Sequence, residues 1–440
     1  MKKVYFETYG CQMNKYDSEL VAGILKSSGY EETHEAAESD LILINTCSVR
    51  EHAETRVFGR LDALRALKSQ RPELIIGVLG CMAVRLKETI SERKPFVNFT
   101  VGPDNYRALP EILSKLGRNG SDGSLSLADV DNYEVYGELF PAHSDGVSAW
   151  VAVMRGCNNF CSYCIVPYVR GRERSRRISD IINEVKKLAA LNYREIILLG
   201  QNVNSYQDGG ADFADLIRKV ADVDGIERVR FATSHPKDLS IKLIKAIAEH
   251  PIICKHIHLP VQSGSDKILK QMNRNYSRRH YLELVQTIRE QISDVGLYTD
   301  IIVGFPGENE HDYQNTVDLV KNVEFDGSFI FKYSPREGTA ATKFTETVSE
   351  TEKVERLKNL NKIQDQITLK RNLALIGKTV TILVEGPSKK AKPNQYMGRT
   401  ETNKIVVFNS QKPPKNGFVD VTIIDAKSHT LFGSLVHNKN

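Results

Sequence analysis

The chain has 440 residues, of which 41% are apolar and 26% are charged, and its formal net charge is +5. These proportions are ordinary for a globular protein, and the length leaves room for two to four domains. No apolar run reaches the roughly 18 residues that span a bilayer, and the N-terminus does not resemble a secretion signal, so we expect a cytoplasmic protein.

Residues 1–116 alternate apolar strands with helical patterns, which predicts an open, three-layer α/β domain. The strand runs show little polar alternation, as expected of parallel strands that are buried on both faces. The predicted strands are Val4–Thr8, Leu41–Asn45, Leu74–Leu79 and Val97–Val101. The predicted helices are Lys15–Ser28, Glu51–Lys68, Val84–Arg93 and Asn105–Leu116.

Three of the seven cysteines, Cys11, Cys47 and Cys81, each come just after the carboxyl end of one of these strands. That edge is where α/β sheets bind ligands. Cysteines of a reducing compartment more often serve metal binding or catalysis than a disulfide framework. We therefore predict that the three thiolates converge and hold an iron–sulfur cluster with one iron left open. Three unrelated buried cysteines are the alternative, and the polar residues around them argue against it.

Residues 117–142 change to glycine, serine and acidic residues and predict a linker. Residues 143–373 then repeat a strand–helix unit, which indicates a (β/α)6 partial barrel with its chemistry at the carboxyl ends of the strands. The predicted strands are Ala149–Met154, Glu195–Leu199, Arg228–Thr233, Lys255–Leu259, Leu297–Val303 and Gly327–Tyr333. The predicted helices are Ile178–Leu191, Phe213–Ala221, Ser240–Glu249, Arg279–Ser293, Glu310–Val323 and Ser349–Leu373.

Cys157, Cys161 and Cys164 follow the first barrel strand in a Cys-x3-Cys-x2-Cys pattern. Thiolates at this spacing can hold three irons of a four-iron, four-sulfur cluster, and no nearby cysteine closes the fourth iron. An open iron can bind a substrate or cofactor, as a catalytic zinc does at its free position. A zinc knuckle or a set of buried free thiols is the alternative, but zinc needs four ligands and no fourth follows within the usual reach.

Residues 374–440 show short strand patterns broken by glycine, proline and lysine, which predict a small β-barrel. From Ile376 onward ten Lys or Arg stand against four Asp or Glu, so this region carries +6 and the rest of the chain −1. Such a charge suggests a nucleic-acid contact, with a solvated basic surface as the alternative. The predicted strands are Thr379–Glu385, Lys404–Phe408, Gly417–Ile424 and Leu431–Val436.

Taken together, these features give the whole chain a layout that resembles the radical SAM methylthiotransferases, where SAM is S-adenosyl-L-methionine. Members of that family have an N-terminal three-cysteine domain, a radical SAM barrel and a C-terminal TRAM domain. Within the family, the motifs are similar to those of members that act on N6-(dimethylallyl)adenosine in tRNA. The motifs that carry the resemblance are Thr8–Asn14, Gly156–Gly171, Leu199–Asn204, Thr233–Pro236, Leu259–Gly264 and Gly304–Gly307.

The resemblance implies two [4Fe-4S] clusters, one on each cysteine set, and two SAM molecules per turnover. One SAM methylates a sulfur at the N-terminal cluster, and the other is cleaved at the second cluster to a 5′-deoxyadenosyl radical. The radical removes hydrogen from C2 of the adenosine at position 37, beside the anticodon, and a methylthio group replaces it. Because this chemistry belongs to the cofactors, we expect no catalytic side chain beyond the cluster ligands.

Two alternatives to this function stay open. Within the same enzyme class, the substrate could be a ribosomal-protein aspartate or another modified adenosine. Outside that class, the chain could be a non-catalytic iron–sulfur protein that binds RNA or transfers electrons. The expected partners are tRNA and an electron donor of unknown identity, and we expect a monomer.

Individual contacts are assigned by the same resemblance. Gln201 stands where radical SAM enzymes place a polar residue on the methionine amino group of SAM, and the backbone near Gly304 is expected to contact adenine. The implied SAM contacts are Gln201, Ser234, Gln262, Asp300, Gly304 and Phe305. The base to be modified is expected to turn out of its loop into the barrel mouth. The implied RNA contacts are Tyr168, Arg170, Arg172 and Arg174, with an exposed helix start as the alternative for this arginine run.

Overall fold

A computed structural model of the chain describes residues 1–48, 51–119, 125–127, 134–143, 146–388, 393–412 and 417–436. Parts of the predicted linker lie outside these residues. So do five of the ten basic residues counted in the C-terminal region, namely Lys389, Lys390, Lys392, Lys415 and Lys439. None of the helices in the described ranges is long and apolar enough to cross a membrane.

The N-terminal part of the chain forms a six-stranded parallel sheet in the order β2-β1-β3-β4-β5-β6. The strands are β1 (Lys2–Tyr9), β2 (Tyr30–Glu32), β3 (Leu41–Thr46), β4 (Ile75–Gly80), β5 (Phe99–Val101) and β6 (Leu125–Leu127). The helices are α1 (Gln12–Lys26), α2 (Glu51–Gln70), α3 (Cys81–Arg85), α4 (Lys87–Arg93) and α5 (Leu109–Asn119). Separate apolar clusters cover the two faces of the sheet, which confirms the three-layer α/β arrangement.

Two details of this sheet differ from the prediction. The helix expected over Val84–Arg93 is two short helices, α3 and α4, and the first of them begins at Cys81 itself. The strand order reverses between β1 and β3, since β2 pairs on the far side of β1. In open α/β sheets ligands bind at such a switch point, outside the carboxyl ends of the strands. The order therefore places Cys11 and Cys47 on the two sides of the switch point.

The central part of the chain forms two three-stranded parallel sheets, β7-β10-β13 and β14-β15-β16. A parallel bridge between Val229 and Ile253 joins them, so the six strands make one open arc, as expected for a partial barrel. The strands of the arc are β7 (Ser148–Ala152), β10 (Glu195–Leu199), β13 (Arg228–Phe231), β14 (His256–His258), β15 (Gly296–Val303) and β16 (Gly327–Lys332). Short strands outside the arc are β8 (Met154–Arg155), β9 (Arg174–Ser175), β11 (Gln207–Asp208) and β12 (Ala211–Asp212).

Helices cover the outside of the arc and bury its largest apolar cluster. They are α7 (Ile178–Ala190), α8 (Phe213–Ala221), α9 (Ile241–Glu249), α11 (Arg278–Gln291), α12 (Glu310–Val323) and α13 (Glu350–Leu373), whereas the short helices α6 (Val166–Arg170) and α10 (Asp266–Gln271) add no residue to this cluster. The helices α8 to α13 each begin at a side-chain cap: the Ser349 hydroxyl, for example, accepts a hydrogen bond from the Glu352 amide at the start of α13. The predicted helix at Ser349–Leu373 is confirmed.

The C-terminal part closes into a five-stranded barrel in the order β17-β18-β19-β21-β20. Its strands are β17 (Thr379–Pro387), β18 (Gln395–Thr400), β19 (Ile405–Asn409), β20 (Phe418–Lys427) and β21 (Thr430–Leu435). The predicted small β-barrel is thus confirmed, although strand β18 was not anticipated from the sequence. The turn that follows β18, residues 400–404, inserts into the amino end of the central partial barrel. There Arg230 donates to the carbonyls of Thr400 and Glu401 at 2.7 and 2.9 Å.

Candidate active site

The three N-terminal cysteines stand at one edge of the first sheet. Cys11 follows β1, Cys47 follows β3, and Cys81 begins α3 directly after β4. The Cys47 amide donates to the Tyr9 carbonyl at 3.0 Å, which holds the first two loops side by side. Gly10 has a positive φ of 143°, and a Cβ there would lie 2.6 Å from Cys47 Cβ. Only glycine fits this approach, so the backbone is shaped to bring Cys11 and Cys47 together.

A buried amide network fixes the same edge. Asn14 Nδ2 donates to Asn45 Oδ1 at 3.0 Å, and Asn45 Nδ2 donates back to the Asn14 carbonyl at 2.9 Å and to Ser18 Oγ at 3.0 Å. On either side of Cys47, the hydroxyls of Thr46 and Ser48 are buried and have no hydrogen-bond partner among the described residues. Buried polar atoms are normally satisfied, so these two hydroxyls suit a ligand at the edge.

The thiols at this edge influence one another's pKa. A hydrogen bond with Cys47 lowers the pKa of Cys11 to about 6, with help from the nearby Arg170 guanidinium and against the effect of burial. Burial raises the pKa of Cys81, and Arg170 opposes that shift. The thiolate is the form that binds a metal, so a cation placed beside these sulfurs favours the binding form.

The second cysteine loop runs from Gly156 to Ile165 and is held from both sides. The Cys157 amide donates to the Gly171 carbonyl at 3.2 Å, and the Cys164 amide donates to the Cys161 carbonyl at 2.9 Å. From the segment that follows α10, Asn273 Nδ2 donates to the Phe160 carbonyl at 3.0 Å. The loop is therefore fixed at the carboxyl end of β7, where the partial-barrel prediction placed its chemistry.

The thiols of this loop are largely shielded from solvent. Cys161 is buried, while Cys157 and Cys164 are half-buried. Burial raises the pKa of Cys164 to about 12 and also raises that of Cys157. Arg274 Nη1 lies 3.6 Å from Cys161 Sγ, within the range of a weak N–H to sulfur hydrogen bond. A bound metal would shift such thiols to the thiolate form outright.

Within the described ranges, no three His, Cys, Asp or Glu side chains stand close enough to share a single metal ion. The three thiolates of an open four-iron cluster bind three different irons and need not meet at one point. The residue types of both cysteine sets fit that kind of group, with partnerless hydroxyls beside Cys47 and a guanidinium group beside a cysteine of each set.

Two of the residues implied to bind SAM have buried atoms that the protein leaves unsatisfied. Gln201 Oε1 and Ser234 Oγ follow β10 and β13, and neither atom has a hydrogen-bond partner among the described residues. Burying a polar atom without a partner costs about 1–3 kcal/mol. Their placement at the carboxyl ends of adjacent strands suits a polar ligand held at the barrel mouth.

The other residues implied to bind SAM lie further round the same rim. Gln262 adopts a positive φ of 68°, and its amide donates to the Asp300 carbonyl at 2.8 Å. The Asp300 carboxylate lies 2.9 Å from His258 Nε2. Gly304, with a φ of 68°, donates its amide to Glu308 at 2.7 Å. The Phe305 ring is buried in an apolar cluster, so only its backbone is left to face a ligand.

His235 lies on this rim without the properties of a base. Burial, with the nearby charges of Arg274 and Lys237, lowers the pKa of His235 to about 2. Its Nδ1 accepts from the Lys237 amide at 3.3 Å and caps a short turn. The ring is therefore neutral and structural at physiological pH.

The residues implied to contact RNA divide into exposed and buried ones. Tyr168 is 47% exposed, and the Arg172 guanidinium lies 4.6 Å from the centre of the Phe160 ring. Arg174 pairs with Asp104 at 2.6 Å. Arg170 is only 3% exposed, and its Nε lies 3.1 Å from Cys81 Sγ. The Arg170 side chain thus meets the N-terminal cysteine edge and not the surface.

Three charged residues at the two cysteine sites, Asp17, Arg155 and Arg274, were not predicted from the sequence to have a role there. Asp17 is fully buried and pairs with both Arg155 and Arg170 at 2.7 Å, and Arg274 lies against Cys161. Arg155 stands two residues before Cys157, and Asp17 lies on α1, which starts directly after Cys11. The short distances in sequence from Arg155 to Cys157 and from Asp17 to Cys11 are the signals that could have singled out these two residues. Nothing in the sequence around Arg274 distinguishes it.

Comparison with known families divides the chain into three matched regions. The Radical SAM superfamily matches residues 151–320, the uncharacterized protein family UPF0004 matches residues 3–102, and the TRAM domain matches residues 374–436.

Full-length relatives carry one name. A tRNA-2-methylthio-N(6)-dimethylallyladenosine synthase of Caldicellulosiruptor saccharolyticus is 47% identical over 440 residues, covering 99% of this chain and 93% of that protein. A protein of the same name from Clostridium botulinum strain Loch Maree is 48% identical over 434 residues, covering 98% of this chain and 96% of that protein.

Solved structures share the fold at low sequence identity. The radical S-adenosylmethionine methyltransferase TsrM from Kitasatospora setae aligns with a TM-score of 0.58 at 14% identity, covering 75% of this chain and 73% of that one. The cobalamin-dependent S-adenosylmethionine radical enzyme OxsB aligns with a TM-score of 0.54 at 12% identity, covering 83% of this chain and 56% of that one. At these identities the likeness concerns the fold alone.

Proposed function

The chain belongs to the family of tRNA-2-methylthio-N(6)-dimethylallyladenosine synthases, and we propose that it places a methylthio group on C2 of N6-(dimethylallyl)adenosine at position 37 of tRNA. The observation that carries this proposal is the identity of 47% that extends over 99% of the chain and all three matched regions. As a radical SAM enzyme, the protein uses SAM and a [4Fe-4S] cluster.

We propose that two sets of thiolates hold two clusters. Cys157, Cys161 and Cys164 would hold the radical cluster, and Cys11, Cys47 and Cys81 would hold an auxiliary cluster. When bound, the two groups supply the radical that activates C2 and the sulfur that replaces its hydrogen. An aromatic C–H has no readily acidic proton, so the proposed reaction needs no base at the rim, where His235 is buried and neutral.

The protein's own part is to bind and orient SAM at the barrel mouth. We propose that Gln201 Oε1 accepts a hydrogen bond from SAM, and that Ser234 Oγ donates or accepts one, since the described residues supply neither atom with a partner. We propose a backbone contact at Gly304, where a positive φ and the Lys353 side chain, which an added Cβ would meet, favour glycine. Gln262 and Asp300 would complete the polar rim, with Phe305 contributing backbone only.

The barrel also offers a surface for the substrate base. In the register of the arc, Phe329 lies beside Asp300, so both side chains are on the face opposite to Ile301 and Ile330, which belong to the outer apolar cluster. The Phe329 ring is 56% exposed, an unusual state for a large apolar side chain inside a barrel. Bases that are turned out of a loop are read by stacking on aromatic side chains. We propose that Phe329 stacks against the modified base or its dimethylallyl group.

Contacts outside the barrel would hold the rest of the RNA. Tyr168 on α6 and Arg172 just after that helix are exposed, and they would contact the anticodon loop together with Arg174. The C-terminal barrel matches the TRAM domain and carries the excess positive charge of the chain, which would add phosphate contacts. Since one copy carries both cysteine sets, we propose a cytoplasmic monomer that receives its electrons from an external donor.

The nucleosides of cellular tRNA test this function. We expect a strain that lacks the gene to lose 2-methylthio-N6-(dimethylallyl)adenosine and to accumulate the unmodified N6-(dimethylallyl)adenosine, measured by mass spectrometry of digested tRNA. Return of the gene should restore the methylthio nucleoside. Its persistence in a host without a second such enzyme would contradict the proposal. Loss of a modification on a ribosomal-protein aspartate or on another modified adenosine instead would identify one of the related activities.

A further inference from the structure

Arg170 lies between the two cysteine sets. It is the last residue of α6, the short helix that follows Cys164. From there its Nε donates to Cys81 Sγ at 3.1 Å. Around this contact, Cys81 packs against Ile165 and Val169 in one small apolar cluster. The helix therefore carries the radical-cluster loop at one end and a hydrogen bond to an auxiliary-cluster ligand at the other.

The two terminal nitrogens of the Arg170 guanidinium differ in their hydrogen bonds. Arg170 Nη2 donates to Asp17 Oδ2 at 2.7 Å, while Nη1 is buried and has no acceptor among the described residues. A buried N–H without a partner is uncommon in a native protein. Because the cysteine edge lies beside this group, an acceptor supplied by the bound cluster would satisfy it.

The local charge is not balanced. Asp17 is fully buried and accepts from Arg155 Nη2 at 2.7 Å on its other oxygen. Arg155 and Arg170 are also almost completely buried, so one carboxylate faces two guanidinium groups. The group as a whole carries one net positive charge, in a region where water does not screen it.

We propose that Arg170 is a positioning residue of the auxiliary cluster. Its side chain holds the Cys81 ligand sulfur by a hydrogen bond and raises the reduction potential of the cluster. This inference rests on the proposed function, since it requires a cluster at Cys11, Cys47 and Cys81. Reduction adds a negative charge to the cluster, and a nearby cation with N–H to sulfur hydrogen bonds stabilises that charge. Asp17 opposes the effect, because it neutralises part of the positive charge.

Opposite shifts in two variants test the proposal. In a full-length background with Cys157, Cys161 and Cys164 replaced by alanine, the auxiliary cluster alone is reconstituted and titrated by electron paramagnetic resonance. We expect Arg170→Gln to shift the midpoint potential to more negative values and Asp17→Asn to shift it to more positive values. Arg170→Lys, which keeps the charge but cannot bond both Asp17 and Cys81, should shift it less than Arg170→Gln. Arg194→Gln, which removes an exposed pair with Glu227, is the control without a shift.

Several results would overturn the proposal. An unchanged potential in Arg170→Gln would do so, and shifts of the same sign in Arg170→Gln and Asp17→Asn would indicate general damage to the site. Arg170→Lys is expected to retain its auxiliary iron, and loss of that iron would leave only a structural role for the residue. If Cys11, Cys47 and Cys81 bind no cluster in this background, the proposed function itself is wrong. An unchanged potential of a bound cluster would instead contradict only the role of Arg170.

Discussion

The side-chain amide of Asn14 donates to Asn45 Oδ1 at 3.0 Å, across the switch point of the N-terminal sheet. Asn14 lies in the first turn of α1, three residues after Cys11, and Asn45 lies near the end of β3, two residues before Cys47. The pair therefore ties together the two loops that carry these cysteines. It also explains how Cys11 and Cys47, which are 36 positions apart in the chain, are kept at one edge of the sheet.

This pair gives the first prediction. Asn45→Asp keeps the acceptor for Asn14 but removes the Nδ2 donor to the Asn14 carbonyl and Ser18, both buried. Loss of such buried hydrogen bonds costs about 1–3 kcal/mol. We expect a lower free energy of unfolding and, after reconstitution, a fall from about eight irons toward about four, since only the auxiliary cluster is affected. Asn359→Asp, at an exposed position on α13, should keep about eight irons. Retention of full iron in Asn45→Asp would contradict the role of the network.

The unsatisfied oxygen of Gln201 gives the second prediction. If Gln201 Oε1 accepts a hydrogen bond from SAM, Gln201→Leu should weaken SAM binding by about 1.5–3 kcal/mol, or roughly 10- to 100-fold. Calorimetric titration of the reconstituted protein with SAM measures this change. Gln207→Leu, at an exposed position after the same strand, is the matched control. Equal SAM affinity in both variants would remove Gln201 from the binding site.

The insertion of the C-terminal barrel gives the third prediction. Arg230 is buried, pairs with Glu195 at 2.9 Å, and binds the carbonyls of Thr400 and Glu401. Arg230→Met leaves the Glu195 carboxylate buried without its cation, which typically costs about 3–5 kcal/mol. We expect a large loss of stability in urea unfolding and faster proteolysis near residue 375. Arg218→Met, which removes an exposed pair with Glu249, should cost no more than about 1 kcal/mol. Similar losses in both variants would mean that the insertion does not anchor the C-terminal barrel.

The buried ring of His143 gives the fourth prediction. It lies between Glu19 at 3.1 Å and Glu184 at 3.7 Å. Burial alone would lower the pKa of His143, but the two carboxylates outweigh it and raise the pKa to about 9. A raised folded-state pKa stabilises the protein fully below the unfolded value of about 6.5, and this contribution disappears as pH rises through about 9.

Unfolding measured between pH 6 and 10 checks the sign. We expect the wild-type free energy of unfolding to fall across this window by on the order of 1–3 kcal/mol more than that of His143→Gln. Arg176, which pairs with Glu184 on the same side, stays charged throughout and does not contribute to the slope. Parallel pH profiles for the two proteins would show that His143 is not charged in the fold.

Much of the fold could be predicted from local patterns. The runs before Cys47 and Cys81 are largely apolar on both faces and indicate buried parallel strands, whereas the run before Cys11 also contains Glu7 and Thr8. Cysteines that follow parallel strands of one sheet lie at one edge. The five-strand barrel was predicted with one strand missing, because Gln395–Thr400 is polar, contains glycine and shows no apolar alternation. Strand β6, Leu125–Leu127, lies in a segment whose composition resembles a linker.

The electrostatic contacts of the site could not be predicted in the same way. An arginine in a run of arginines suggests an RNA surface, but Arg170 is buried because Asp17 and Cys81, 153 and 89 residues away in sequence, surround it. Such pairings depend on how two domains pack, and no periodicity in the chain reports on them. The same holds for Arg274 at Cys161, which is 113 residues distant in sequence.

The division of labour between the two cysteine sets is the central claim, and one experiment tests it directly. Reconstituted wild type, Cys81→Ala and Cys161→Ala are each given SAM, a reductant, sulfide and an anticodon stem-loop that contains N6-(dimethylallyl)adenosine. Mass spectrometry then measures 5′-deoxyadenosine and the methylthio nucleoside. We predict both products from wild type, 5′-deoxyadenosine without methylthio nucleoside from Cys81→Ala, and neither from Cys161→Ala. Full methylthio product from Cys81→Ala, or none from wild type, would contradict the account.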